Sequence, residues 1–212
     1  MGLDSYRKNA TPALERMSSA FMRFNPNTLT VISFLLALLS GILIALSGRY
    51  IPAIYLVAGL VSLVLSAILD AMDGFVARKK GISSPAGDML DHTFDRYSDM
   101  ALISGFAFSI FGNIYIGILA LGAVFMTSYM GTQAQAIGLR RNYGGVLGRA
   151  DRLVIMMVIL LVETIFPFSY YFYIAITPVN IMLVWFLIAG HITAAKRFRD
   201  SMAGLREMEI RK

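Results

Sequence analysis

The stretch Leu69–Met100, "LDAMDGFVARKKGISSPAGDMLDHTFDRYSDM", carries six aspartates and lies between two long apolar segments. Residues three and four apart share one face of a helix. Asp70 and Asp73 are three apart; Asp88, Asp91, Asp95 and Asp99 step by three, four and four. The spacing predicts two helices, each with its carboxylates on one stripe. The connection between them is short enough to set them side by side and antiparallel. Two acidic stripes then face each other across a cleft at the edge of the apolar region. Left alone, the cluster is costly, because like charges repel and desolvation disfavours each anion. The basic residues in reach are Arg78 and Arg96, so a further cation is required. Carboxylate oxygens suit a hard divalent ion. With no cysteine in the chain and His92 as the nearby imidazole, Mg2+ or Mn2+ is expected in place of zinc or copper. Two ions sharing carboxylates suit phosphoryl chemistry, by holding phosphate oxygens and neutralising developing charge.

Working outward, the 212 residues are 57% apolar and 15% charged, with a mean hydropathy of +0.67. Several apolar runs reach membrane-spanning length. The expected fold is an all-α integral membrane protein of six transmembrane helices. The spans are expected over Leu29–Leu46, from Ile51 to beyond Asp70, over Pro85–Gly112, Ile114–Gly138 and Arg149–Phe166, and from Ile174 to Ala195. Residues 1–24 read as an amphipathic interfacial helix, 25–197 as the membrane domain and 198–212 as a basic cytoplasmic tail. "NPNT" breaks the chain before the first span, with Asn27 or Thr28 as the expected cap. The opening residues lack a central apolar run, so no cleavable signal peptide is expected. The absence of cysteine excludes disulfides and thiolate sites. Of the 19 Lys and Arg residues, all but Arg49 and Arg96 fall in the N-terminal segment, the second and fourth connections, or the tail. The positive-inside rule puts those regions, and both termini, in the cytoplasm. Topology and anionic lipid account for the net charge of +6, and no nucleic-acid partner is expected.

Written out, the acidic region is Asp70-x2-Asp73-Gly74-x2-Ala77-Arg78-x8-Gly87-x3-Asp91-x3-Asp95. This resembles, at every fixed position, the signature of the CDP-alcohol phosphotransferase family. The "PNTLT" of Pro26–Thr30 at the start of the first span adds to the likeness, as do the six spans and the amphipathic leader. The resemblance implies a reaction of phospholipid biosynthesis. An alcohol hydroxyl attacks the β-phosphorus of a CDP-linked lipid, CMP leaves, and a phosphodiester forms. It implies that Asp70, Asp73 and Asp91 are metal ligands, and that Asp95 is both a ligand and the general base. Two Mg2+ ions, or Mn2+, are implied as cofactor. Gly74 and Gly87 would let nucleotide and metal approach the backbone, Arg78 would pair with phosphate, and Asn27, Thr30, Ser84 and Asp70 would hold the CDP moiety. A homodimer in the cytoplasmic membrane is implied as well.

For the acceptor, the segment Ser128–Leu153, "SYMGTQAQAIGLRRNYGGVLGRADRL", resembles that of phosphatidylinositol-phosphate and archaetidylinositol-phosphate synthases. The resemblance implies that Arg152 and Arg197, with Arg149 one turn from Arg152, bind the phosphate of a polyol phosphate, inositol phosphate first. Gly131 and Gln133 stand where basic residues are common in that branch. Arg140 or Arg141 is placed to compensate, and glycerol phosphate or another alcohol is the alternative acceptor. The bland account of these arginines is plain positive-inside charge.

Other polar residues have simpler readings. Asp88 favours the dipole of its helix start. Asp99 is expected to pair with Arg96, three residues away. His92 points away from Asp91 and reads as no ligand, His191 as a hydrogen-bonded structural histidine, and Glu163 as solvated at the far interface. An ion transporter would place carboxylates near the midplane on broken helices; here they gather at one side. An inert scaffold would not need all four signature aspartates.

Overall fold

The computed structural model describes residues 20–47, 52–166 and 176–210, and the chain folds there into six helices. They are α1 (Pro26–Leu46), α2 (Pro52–Lys79), α3 (Pro85–Phe108), α4 (Ile114–Ala136), α5 (Arg149–Ile165) and α6 (Pro178–Ile210). Four of them, α1, α2, α4 and α6, are long and apolar enough to cross a membrane. The expectation of six spans is thus met as six helices, of which two fall short by these criteria. The reason is physical in both cases. The 17 residues of α5 rise only ~26 Å, under the ~30 Å of a hydrocarbon core. α3 carries Asp88, Asp91, Asp95, Arg96 and Asp99 in its first four turns. The interfacial helix expected within residues 1–24 lies almost wholly outside the described residues.

Caps set the helix starts. Pro26 takes the first position of α1, so the cap is Asn25, whose side chain accepts from the Asn27 N–H at 3.0 Å. This corrects the expectation of a cap at Asn27 or Thr28. Ser84 likewise precedes Pro85 and accepts from the Gly87 N–H at 3.1 Å. Asn113 caps α4. The Gly148 N–H at the start of α5 is taken by the Asp151 carboxylate at 2.8 Å. At the other end of the chain, α6 continues past Ala195 to Ile210, so Arg199 and Arg206 of the expected basic tail stand on a helix.

α1 packs against α2 and α3, α4 against α3 and α6, and α5 against α2 and α6. Small and hydroxyl residues make the contacts, as membrane helices require when lipid removes the hydrophobic gain of association. Ser33 and Ser66 each hydrogen-bond the other's carbonyl, at 2.9 and 2.8 Å, and Ser40 bonds the carbonyl of Gly59 at 2.8 Å. Thr127 of α4 reaches the Gly190 carbonyl of α6 at 2.9 Å. α1 and α3 touch backbone to backbone: a Cβ on Gly105 would lie 2.4 Å from the Gly41 carbonyl oxygen, and one on Gly41 2.4 Å from that of Ala101. Nearer the other end of this pair, the rings of Phe34 and Phe94 stack at 4.7 Å. Leu63, Leu102, Phe106, Met156, Leu160, Leu183 and Phe186 fill the interior. Leu35, Ile42, Val61, Ile118, Leu161 and Ile188 turn outward, as lipid contact demands.

Candidate active site

The acidic stripes of α2 and α3 meet through their carboxylate tips, but the two helices do not pack side by side as expected: α1 packs against both. One carboxylate oxygen from each of Asp70, Asp73 and Asp91 lies within 4.8 Å of the others; Asp91, His92 and Asp95 form a second such group. Asp73 and Asp95 are buried, Asp70 and Asp91 partly so. Asp73 Oδ2 is buried with no hydrogen-bond partner among the described residues. An oxygen set with an unpartnered buried carboxylate oxygen fits a hard divalent cation. His92, expected to point away, is close enough to join the second group.

The proposed donor residues converge beside this cluster. Thr30 of α1 is buried, donates to the Pro26 carbonyl at 3.1 Å and lies against Asp73. A Cβ on Gly87 would meet Ser84 Oγ at 3.4 Å and Asn27 Oδ1 at 3.5 Å, so the bare glycine lets α1 and the start of α3 close together. Arg78 folds back over Gly74, where a Cβ would sit 3.1 Å from its Nη1.

The arginines are placed in ways that local sequence does not suggest. Arg149 of α5 bridges the two acidic helices, with Nη1 2.6 Å from Asp70 Oδ2 and 2.6 Å from Asp95 Oδ1. Arg152 is 2% exposed and holds Asp99, also 2% exposed, at 2.7 Å. Arg96, the expected partner of Asp99, stands further off at 3.6 Å and is 3.5 Å from Asp95. Arg197 is buried and donates to the carbonyls of Thr127 and Gly144, at 2.7 and 2.8 Å. Its Nη1 would be 3.1 Å from a Cβ on Gly131, so the glycine makes room for it. Gln133 is exposed. Arg141, on the segment between α4 and α5, contacts His92 Nε2 and lies over the ring of Tyr143. Sequence reasoning missed the Arg149 bridge and the Arg152–Asp99 pair. Their partners are 79 and 53 residues apart, and no periodic signal joins them.

Two lesser expectations are corrected. Glu163 is not solvated: it is 1% exposed and lies against the Val179 backbone. His191 lies on an exposed face of α6 and makes no hydrogen bond to a described residue.

A bundle of membrane helices with a carboxylate cluster at one end is the class that this fold and site define. The family model for CDP-alcohol phosphatidyltransferase matches residues 23–195. The chain is 32% identical over 158 residues to the archaetidylinositol phosphate synthase of Pyrococcus horikoshii, covering 74% of this chain and 80% of that one. It is 33% identical over 141 residues to the inner membrane protein YnbA of Escherichia coli, covering 66% and 69%. The crystal structure of Mycobacterium tuberculosis phosphatidylinositol phosphate synthase with CDP-DAG bound shares the fold, with a TM-score of 0.72 at 24% identity over 88% of this chain and 94% of that one. A second structure of that protein, in complex with manganese and citrate, also scores 0.72, at 23% identity over 89% and 88%. The chain belongs to the CDP-alcohol phosphatidyltransferase family. It is a membrane enzyme of phospholipid synthesis, and its chemistry is that of the family: an alcohol displaces CMP from a CDP-alcohol.

Proposed function

We propose that this enzyme transfers the phosphatidyl- or archaetidyl-type group of a CDP-lipid to a hydroxyl of a polyol phosphate, inositol phosphate first. The observation that carries the reading is the meeting of Asp70, Asp73 and Asp91 with Asp95, next to Asn27, Thr30, Ser84 and Gly87. Asp70, Asp73, Asp91 and Asp95 would hold two divalent ions, Mg2+ or Mn2+, which neutralise charge on the pyrophosphate and the leaving CMP. Asp95 takes the proton of the attacking hydroxyl. The new bond joins the acceptor oxygen to the β-phosphorus, and the bond from that phosphorus to the CMP oxygen breaks. Asn27, Thr30, Ser84, Gly74 and Gly87 shape the seat of the CDP moiety, and Arg78 faces its phosphates. Arg149, which reaches Asp70 and Asp95, is the expected acceptor-side arginine that stands at the cleft, whereas Arg152 and Arg197 are buried on partners inside the protein.

The names of the archaeal and mycobacterial synthases support inositol phosphate, the mycobacterial structure with CDP-DAG bound supports a CDP-lipid donor, and the separate one with manganese and citrate supports the divalent ion. Gly131 and Gln133 favour a second reading, in which glycerol phosphate is the acceptor. The distribution of basic residues supports both termini and the site on the cytoplasmic side of the plasma membrane, and the family resemblance suggests a homodimer. CMP release from a CDP-lipid, with product mass measured across inositol phosphate, glycerol phosphate and free inositol, tests the proposal. We expect inositol phosphate to be used best, activity to vanish with a chelator and return with Mg2+, and Asp91→Asn to be inactive but membrane-inserted. Wild-type turnover by Asp91→Asn at limiting Mg2+ would sink the metal assignment.

A further inference from the structure

His92 follows Asp91 on α3 and stands one turn before Asp95. Its ring completes the second group of the site, in which one atom from each of Asp91, His92 and Asp95 lies within 4.8 Å of the others. We infer that His92 gives this group a nitrogen ligand, through Nδ1, and tunes it toward a transition-series dication of the Mn2+ type over Mg2+. The inference rests on the reading that the carboxylates hold divalent ions, and it adds a ligand that the four-aspartate signature does not contain.

The spacing of the donor atoms argues for it. Nδ1 is 3.9 Å from Asp91 Oδ2 and 3.9 Å from Asp95 Oδ2. Neither distance is a hydrogen bond, and Nδ1 is buried with no hydrogen-bond partner among the described residues. Donor atoms held at about 2.1 Å from a shared ion lie about 3 Å apart at right angles and about 4.2 Å apart across it. The two 3.9 Å separations fall within that range, so the three groups suit one ion among them. Asp95 is buried and Asp91 and His92 are partly so, which leaves the position shielded from bulk water.

The other ring nitrogen is placed to support that role. Nε2 is 3.3 Å from Asp88 Oδ1, one turn earlier on the same helix face. A ligating histidine ordinarily gives its second N–H to a carboxylate or carbonyl, which fixes the tautomer and raises the basicity of the ligating nitrogen. With Nε2–H turned to Asp88, the lone pair of Nδ1 is free for a cation. Arg141 also contacts Nε2. A guanidinium only donates, so it calls for the opposite tautomer, with the proton on Nδ1. A cation at Nδ1 would repel Arg141 and draw Asp88, so the Asp88 tautomer is the one that goes with an ion. The consequence is selectivity. Asp91 and Asp95 alone make an oxygen site that suits Mg2+ and Mn2+ alike, whereas imidazole favours transition metals. Mg2+ still fits the carboxylates, at higher concentration.

The test uses the full chain in detergent, free of any histidine tag, with Mn2+ added stepwise to saturation and pulsed electron paramagnetic resonance as the readout. Wild type should show the echo modulation of a nitrogen bound to Mn2+. His92→Gln, which offers an oxygen in place of the nitrogen, should bind Mn2+ without that signal. His191→Gln, on the exposed face of α6, should keep it. The Mg2+ concentration that displaces half of the Mn2+ should fall by about tenfold or more in His92→Gln, since even the outer partner of a ligating histidine is worth about 10–100-fold in metal affinity. If Mn2+ binds wild type with no nitrogen signal, if the signal survives His92→Gln, or if Mg2+ displaces Mn2+ equally well from both proteins, the assignment is overturned and the carboxylate site stands. If wild type binds no Mn2+ at all, the divalent-ion reading fails first and this one goes with it.

Discussion

Replacing Arg152 by alanine separates two roles for one side chain. In sequence it matches an acceptor-binding arginine; in the structure it is 2% exposed and locked to Asp99 at 2.7 Å. Removing one member of a buried pair leaves the other charge uncompensated, at a cost of about 3–5 kcal/mol. Asp99 keeps Arg96 at 3.6 Å as a weaker partner, so the lower end, about 3 kcal/mol, is the expected loss. At about 2–4 °C per kcal/mol for a chain of this size, Arg152→Ala should melt roughly 6–12 °C below wild type. Thermal unfolding in one detergent, followed by the fluorescence of the single tryptophan, measures it. Arg152→Met combined with Asp99→Leu removes both charges and should recover most of the loss, since apolar replacements of a buried pair are often neutral or better. The reasoning is refuted if Arg152→Ala melts within about 1 °C of wild type while the KM for inositol phosphate climbs. The arginine would then be spending its energy on substrate.

Two more predictions follow from the site and the packing. Asp95→Asn should lower kcat by a hundredfold or more, on the order expected for a lost general base, with little change in CDP-lipid affinity; intact turnover with weak donor binding would make Asp95 a binding residue. Gly105→Ala would put a methyl 2.4 Å from the Gly41 carbonyl oxygen, forcing α1 from α3 at a cost of roughly 1–3 kcal/mol; an unchanged melting temperature would mean the two backbones do not touch as described.

The acidic cleft was legible in sequence because a helix converts a spacing of three and four into a face, and Asp70, Asp73, Asp91 and Asp95 obey it. The cap of α1 was read two or three residues late, because Pro26 claims the first helical position. What could not be read was the company kept by isolated charges. Arg149, Arg152 and Arg197 find their partners on helices distant in sequence, so one basic residue near a helix start reads the same whether it faces solvent, substrate or a buried aspartate. Glu163 fails for the same reason: its place near a helix end suggests water, and tertiary packing covers it. The overrun of α6 has a different cause. Polarity marked the end of the apolar run, yet no proline follows Ala195 to stop the helix, so hydropathy and helicity part company there.

The backbone contact of Gly41 with Gly105 and Ala101 has a mechanical consequence. Carbonyl against glycine leaves nothing to compress, so this crossing acts as the fixed pin of a pair of shears. Toward the catalytic end the same two helices meet through side chains, Phe34 sliding on Phe94. Thr30 stands eleven residues from Gly41, about 16 Å along the axis, and Gly87 eighteen residues from Gly105, about 27 Å. A rotation of about 5° at the pin moves the tips by roughly 1.4 and 2.4 Å over those arm lengths. That is enough to widen the gap among Asn27, Thr30, Ser84 and Gly87 while the far end of the bundle holds still, which would suit the proposed CDP-lipid donor, arriving sideways from the bilayer.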